Sequence, residues 1–377
     1  MSKGTDILVI GAGLAGLTAA AHAIKAGASV RLIAQGWGQQ IVAPGWISVW
    51  DRAEGDALPA AADHATQNAD HPYALGNDLS AALTAFRDLT AEIGLPYDQR
   101  ADGHNLRVPT MMGAIQTPLI APRGIANGDV TDSDGAVLVV GFTGWRDFHP
   151  ELAAQNLTAL GTAARARRIA LPGAASHWDR WPGDVALLTE GADVRAAIVR
   201  QLKSELNGVA KIGFPAVLGL NHHADVLADL TAQLERPIFE MPTLPPSVPG
   251  TRLSNRLRRW LLRHHARVQI GHPVSSAITD QNRVVGVNVA ALGHTNPFYA
   301  DQVILTTGGL YNGGIQSDVS GKLWEPIFDL PVSAPDGEGR SGWYAESLLD
   351  PGGHPIHRHA GLRVNAQMQP FDSEGAP

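Results

Sequence analysis

The sequence predicts an α/β protein in which one parallel sheet is interrupted by a long insertion, and three observations carry that prediction. Ile7-Leu8-Val9-Ile10 is short, branched and wholly apolar, as suits a central parallel strand covered on both faces. Gly11-Ala12-Gly13-Leu14-Ala15-Gly16 follows at once and leads into an alanine-rich helix to Lys25, then a second strand over Ser29 to Ala34. Far along the chain, Ala300 to Leu305 is an apolar strand ending in Thr306-Thr307-Gly308-Gly309. Together these define a Rossmann-like FAD/NAD(P)-binding fold with an inserted α+β second domain. Residues 1–50 and 266–377 would form a discontinuous nucleotide domain, and residues 51–265 the inserted and intervening α/β region.

Each glycine of the Gly-x-Gly-x-x-Gly turn has a separate task. Gly11 permits the tight turn, Gly13 lets a phosphate approach the backbone, and Gly16 lets the helix press on the sheet. Amides at the helix start, including those of Leu14 and Ala15, face the phosphate. A lone motif of this kind is weak; between a buried strand and an alanine helix it is much stronger. Gly308 and Gly309 belong beneath the same nucleotide, where a missing side chain admits close backbone approach. One element is absent. The second strand should end in Asp or Glu to accept hydrogen bonds from the adenosine ribose, yet Ala34 stands there, followed by Gln35. That absence counts against FAD or NAD specifically and leaves FMN, which has no adenosine, open beside FAD.

Composition sets further bounds. A net charge of −7 gives no electrostatic reason for nucleic-acid binding. With no cysteine the chain has no disulfide, thiolate nucleophile or cysteine-held iron–sulfur cluster, so a partner would have to carry such a centre. The Met-Ser-Lys-Gly-Thr start leaves no room for a signal peptide, and no run of 18 apolar residues suggests a membrane span. A cytoplasmic protein is expected, docked at the membrane, if at all, through another subunit.

Between the two nucleotide segments the pattern is mixed. Gly36 to Ser48 is a loop with two tryptophans, which either reach a flavin ring or serve as loop packing. Ala57 to Asp70 reads as a linker or loose helix, Asn77 to Ile93 as an amphipathic helix, and Gly103 to Gly128 as β structure and loops. Ala136 to Val140 is a second buried strand, followed by Arg146 and Asp147 and a helix to Leu160. Val194 to Leu206 is a further helix. His222 and His223 are adjacent, so they do not share a helix face, and no third ligand at a metal spacing accompanies them. The fifteen histidines are scattered, and none is identifiable as a catalytic base. In Glu240 to Leu253 the prolines stiffen a loop, and Thr251 is expected to cap a helix running to His265. Its arginines, 252, 256, 259 and 263, suit a solvated face or an anion or partner surface; Arg252, near the helix start, is the residue singled out for such a contact.

The chain resembles the B-subunit family of anaerobic glycerol-3-phosphate dehydrogenase. The residues that carry the resemblance are Ile10 to Leu17, His71-Pro72-Tyr73, Val140-Gly141 with Gly144 and Asp147-Phe148, and above all Pro242 to Val248 with Gly250, Arg252 and Leu253. Asn312-Gly313-Gly314, Glu325-Pro326-Ile327, Gly339-Arg340 and Trp343-Tyr344 extend it over nearly the whole chain. The resemblance implies a flavoprotein subunit carrying FMN, associated with an FAD-containing catalytic A subunit and an iron–sulfur, membrane-contacting C subunit. That complex oxidises sn-glycerol 3-phosphate to dihydroxyacetone phosphate and passes electrons towards quinone. An autonomous flavin dehydrogenase and a flavin-free assembly subunit are the alternative readings. Such flavoproteins continue past the region of His357 to Val364 with a closing strand and helix, which this sequence lacks before Pro377.

Overall fold

The computed structural model describes residues 4–51, 55–69, 71–76, 78–131, 135–173, 180–281, 283–335, 339–350 and 352–376. Asp70 and Asn77, given above as segment bounds, and the Met1–Lys3 start lie outside the described residues. The chain divides into two compact units, one of residues 1–39, 75–77 and 257–377, the other of residues 40–74 and 78–256.

The first unit is built on a six-stranded sheet. Its central strand Thr5–Ile10 lies between Val30–Ala34 on one side and His294–Leu305 on the other, parallel to both. Arg267–Ile270 adds a parallel strand outside Val30–Ala34. Beyond His294–Leu305 the antiparallel strands Arg283–Ala291 and Val274–Asp280 complete the sheet. Leu8, Val9, Leu32 and Ile33 are fully buried, as an apolar strand in a covered parallel sheet must be. The helix Leu14–Lys25 crosses back over the sheet, burying Leu17, Ala20 and Ala21. After Leu305 the chain forms short pieces: a turn at Leu310–Asn312, two-residue ladders, and the helix Pro355–His359.

The second unit has its own four-stranded parallel sheet, in the order Ile238–Met241, Val209–Pro215, Ala136–Phe142, Ala164–Ile169. Helices Pro150–Ala159, Pro182–Thr189, Ala192–Leu202 and His223–Leu234 connect these strands and bury Leu157, Val185, Ile198 and Leu230 in one core with Val139, Phe142 and Phe214. The strand Ala164–Ile169 escapes the apolar-run criterion because its sequence, ARARRI, alternates and stays half exposed at the sheet edge. Ala57–Gln67 is an ordered helix rather than a linker, with Asp56 capping Leu58 N–H at 3.1 Å.

The units divide at Gln39/Gln40 and Arg256/Leu257, where the sequence suggested 50/51 and 265/266. The reason is a close approach: a β-carbon added at Gly250 would lie 1.7 Å from the Gln40 carbonyl oxygen and 2.5 Å from that of Ala43. Ser247 N–H also donates to the Ile41 carbonyl at 2.6 Å. The start of the helix Val248–Arg263 thereby fixes the 40–43 segment within the second unit. Gly250→Ala is therefore expected to lower the unfolding free energy by about 1–3 kcal/mol in urea denaturation. Gly183→Ala, where an added β-carbon meets nothing within 4 Å, should not lower it.

Candidate functional site: a nucleotide cradle and a buried ion pair

The turn after the opening strand is held from two sides. Gly11 N–H donates to the Ile33 carbonyl at 2.8 Å, and Thr306 returns both its N–H and its hydroxyl to the Ile10 carbonyl, at 2.9 and 2.7 Å. Gly11 has φ +115°, and an added β-carbon would sit 2.3 Å from the Thr306 carbonyl oxygen. One at Gly16 would sit 2.0 Å from the Gly11 carbonyl oxygen and 2.7 Å from Thr306 Oγ1. These two glycines are demanded by packing. Gly13 is different: it precedes the helix Leu14–Lys25 with extended backbone, no side chain caps the helix there, and an added β-carbon meets nothing within 4 Å. Leu14 and Ala15 form the first helical turn beside it, half buried and exposed. An open, uncapped helix start is where backbone amides and the helix dipole receive an anion.

Gly308 and Gly309 follow Thr306 and so leave the sheet at the same carboxyl end as Gly11, since the two strands are parallel. Gly308, φ +81°, is a turn residue whose β-carbon would collide with Asn312, while Gly309 has open space around it. The Gly309 carbonyl accepts from Asn312 N–H at 3.2 Å and Gly314 N–H at 3.1 Å, closing the turn. Thr306 itself was not singled out in the sequence; the Thr-Thr-Gly-Gly string was its signal. At the end of the second strand Ala34 is buried, and its carbonyl accepts from Gly271 and His272 N–H at 2.9 and 3.2 Å. Gln35 is exposed. The residues present thus fit a diphosphate, with no carboxylate at the usual ribose position.

Arg252 is not an anion or partner contact. It is 1 % exposed, and its guanidinium donates to Glu240 Oε2 at 2.6 Å, Glu240 Oε1 at 2.8 Å, the Gly219 carbonyl at 2.6 Å and the Leu218 carbonyl at 3.1 Å. The helix begins at Val248, with the Ser247 hydroxyl accepting from Gly250 N–H at 3.1 Å. Thr251 is therefore inside the helix, donating its hydroxyl back to the Ser247 carbonyl, and does not cap it. Arg256 is likewise spent on the carbonyls of Ile93 and Asn221. Of the two adjacent histidines, His222 is exposed and His223 is buried, its Nδ1–H donating to the Leu218 carbonyl at 2.6 Å. Other residues singled out in the sequence are structural too. Glu325 is buried and accepts from the Ile327 and Phe328 amides, and Trp46 packs against the Leu106, Val108 and Ile125 cluster.

Residues 6–377 match the FAD binding domain family, so the class defined by this fold and cradle is an FAD-binding oxidoreductase domain. The chain is 31 % identical to the B subunit of a probable anaerobic glycerol-3-phosphate dehydrogenase of Halobacterium salinarum, over 100 % of this chain and 89 % of that protein. It is 27 % identical to the B subunit of the anaerobic glycerol-3-phosphate dehydrogenase of Vibrio vulnificus, over 97 % and 86 % respectively. The chain belongs to the B-subunit family of anaerobic glycerol-3-phosphate dehydrogenase. Among solved structures, a 3-ketosteroid Δ1-dehydrogenase from Sterolibacterium denitrificans aligns over 81 % of this chain and 48 % of that one, at 19 % identity and a TM-score of 0.39, too distant to inform the chemistry. The family match overturns FMN as the expected cofactor: the matching domain binds FAD. A missing carboxylate removes one ribose contact and leaves the diphosphate cradle intact, so it does not imply a flavin without adenosine.

Burial would raise the Glu240 carboxyl, but Arg252, His223 and the Leu218 amide override it and hold it below its ordinary value. His223 is pushed down to about 4, first by burial and then by Arg252. The unfolded chain therefore takes this proton before the folded one does. Stability from His223 is fully present above its ordinary value of 6.5 and falls as the pH drops towards 4. Glu240 adds a loss further to the acid side, as the pH falls through its depressed folded value. Urea-unfolding midpoints are expected to drop across the 6.5-to-4 window, and His223→Gln should flatten that slope; an unchanged slope would refute the assignment.

Proposed function

We propose that this chain is the FAD-carrying B-type subunit of a quinone-linked glycerol-3-phosphate dehydrogenase. The observation that supports the reading is similarity along the full chain to proteins named as the B subunits of such enzymes. In this reading sn-glycerol 3-phosphate is oxidised to dihydroxyacetone phosphate in a complex with an FAD-containing catalytic A subunit and an iron–sulfur C subunit at the membrane. Electrons then pass towards quinone. FAD, when bound, supplies reversible redox chemistry of the isoalloxazine ring.

The chain's own contribution is to bind and orient. The open amide turn at Gly13, Leu14 and Ala15 would take the diphosphate, with Gly11 and Gly16 keeping the turn close to the sheet. Gly308 and Gly309 would form the wall on the other side of Gly11, joined to it through Thr306. The chain has no cysteine, so a partner would supply the iron–sulfur ligands. Among the described residues no helix is long and apolar enough to cross a membrane, which suits attachment through the complex.

Gly13→Val tests the cradle. Because the added side chain starts in open space, folding stability should stay within about 1 kcal/mol of the parent, the scale of an N-cap change. FAD retention should fall at least about tenfold, the effect of losing roughly 1.4 kcal/mol of phosphate binding. Retention of FAD by this variant would refute the cradle. The complex itself is tested by adding glycerol 3-phosphate to this chain with and without the A subunit and following flavin bleaching. Bleaching in the mixture beyond that of the A subunit alone, with none in the isolated chain, supports relay; no excess would refute it, and bleaching of the isolated chain would make it a dehydrogenase in its own right.

A further inference from the structure

Arg258 lies in the part of the helix Val248–Arg263 that belongs to the nucleotide unit, and the arginine pattern of the sequence passed over it. Its guanidinium carbon sits 4.7 Å from the centre of the Trp37 ring. Its Nε is buried without a hydrogen-bond partner, and among the described residues no carboxylate pairs with it. Trp37 follows the end of the second strand, with Gln35 and Gly36 between it and Ala34. The place where the ribose-binding carboxylate is missing is therefore followed directly by a tryptophan that carries a cation with no carboxylate partner among the described residues.

The surroundings leave room. β-carbons added at Gly36 and at Gly271, which follow the neighbouring parallel strand ends, would meet nothing within 4 Å. Ligands of open α/β sheets bind outside such carboxyl ends. A guanidinium has only donors, so it cannot replace a carboxylate by accepting from ribose hydroxyls. It can donate to ribose oxygens and adenine ring nitrogens, and its planar face can stack on a base.

We propose that Arg258, held over the Trp37 ring, recognises the adenosine half of the bound dinucleotide by stacking and by donating from its guanidinium. Recognition at this end of the site is thereby moved from an acceptor on the second strand to a donor on a distant helix. The inference rests on the FAD reading above and names the residues that would distinguish FAD from FMN.

The test is equilibrium binding of FAD, FMN and 5′-ADP to the full chain and to Arg258→Ala, Trp37→Ala and Arg258→Lys. Arg258→Ala and Trp37→Ala should weaken FAD and ADP about tenfold, in the range of a desolvated cation–π contact, and leave FMN within about twofold. Arg258→Lys, which keeps the charge and loses the plane, should behave like Arg258→Ala. Unchanged ADP binding in Arg258→Ala, or equal losses for FAD and FMN, would overturn the proposal. So would much tighter binding of 2′,5′-ADP than of 5′-ADP, which would make Arg258 a ribose-phosphate reader. If the parent binds ADP through Arg258 but not FAD, the FAD reading fails while the adenosine assignment stands; if it binds neither, both fall. Thermal midpoints of the ligand-free variants, expected to match the parent, separate these outcomes from misfolding.

Discussion

The nucleotide turn depends on one carbonyl. Ile10 receives both the amide and the hydroxyl of Thr306, from a strand that arrives after the entire second unit has been traversed. That contact brings Thr306 so close to Gly11 that it cannot carry a side chain, and Gly16 is closed first by the Gly11 carbonyl and then by the Thr306 hydroxyl. The spacing of the glycine motif is thus dictated as much by the returning strand as by any ligand. Only Gly13 among the three is left free of such crowding, and this gives it a separable role in approach to phosphate.

The second unit has a comparable centre of a different kind. Glu240 at the end of one strand, Leu218 after the next, and His223 and Arg252 on two helices form a single buried polar group. Each member satisfies another, which is the condition under which charges can be buried at all. Removing one partner would strand the other's charge, at a cost of about 3–5 kcal/mol. The Arg252 guanidinium is therefore committed to bonds inside the second unit, although its place at a helix start resembles that of a contact residue.

Local pattern exposed the nucleotide sheet well. Ile7–Ile10, the glycine turn and Ala300–Leu305 each announce themselves through an apolar run or glycine spacing, and they occupy neighbouring places in one sheet. The second sheet was harder to read, because Ala164–Ile169 alternates arginine with alanine and Ile238–Met241 contains a buried glutamate. Side-chain roles were the least legible. An arginine in sequence carries no sign of whether it meets a carboxylate, as Arg252 does, or a tryptophan face, as Arg258 does. Those partners are set by tertiary packing across long stretches of chain. The cofactor is hard to read for a related reason: the absent carboxylate at Ala34 concerns a single ribose contact, whereas the cradle that takes the diphosphate is intact.

The wide separation of Ile10 and Thr306, 296 residues apart, also orders events during synthesis. At ribosomal speeds of roughly 5–20 residues per second, the opening strand waits about 15–60 s for its partner. Throughout that time Thr5–Ile10 can pair with Val30–Ala34 on one edge, while its other edge has no native neighbour. The second unit, contained in residues 40–256, is complete before that partner emerges. A nascent chain of this protein thus carries a finished α/β unit tethered to an open β edge, the kind of surface on which chaperones act and aggregation begins.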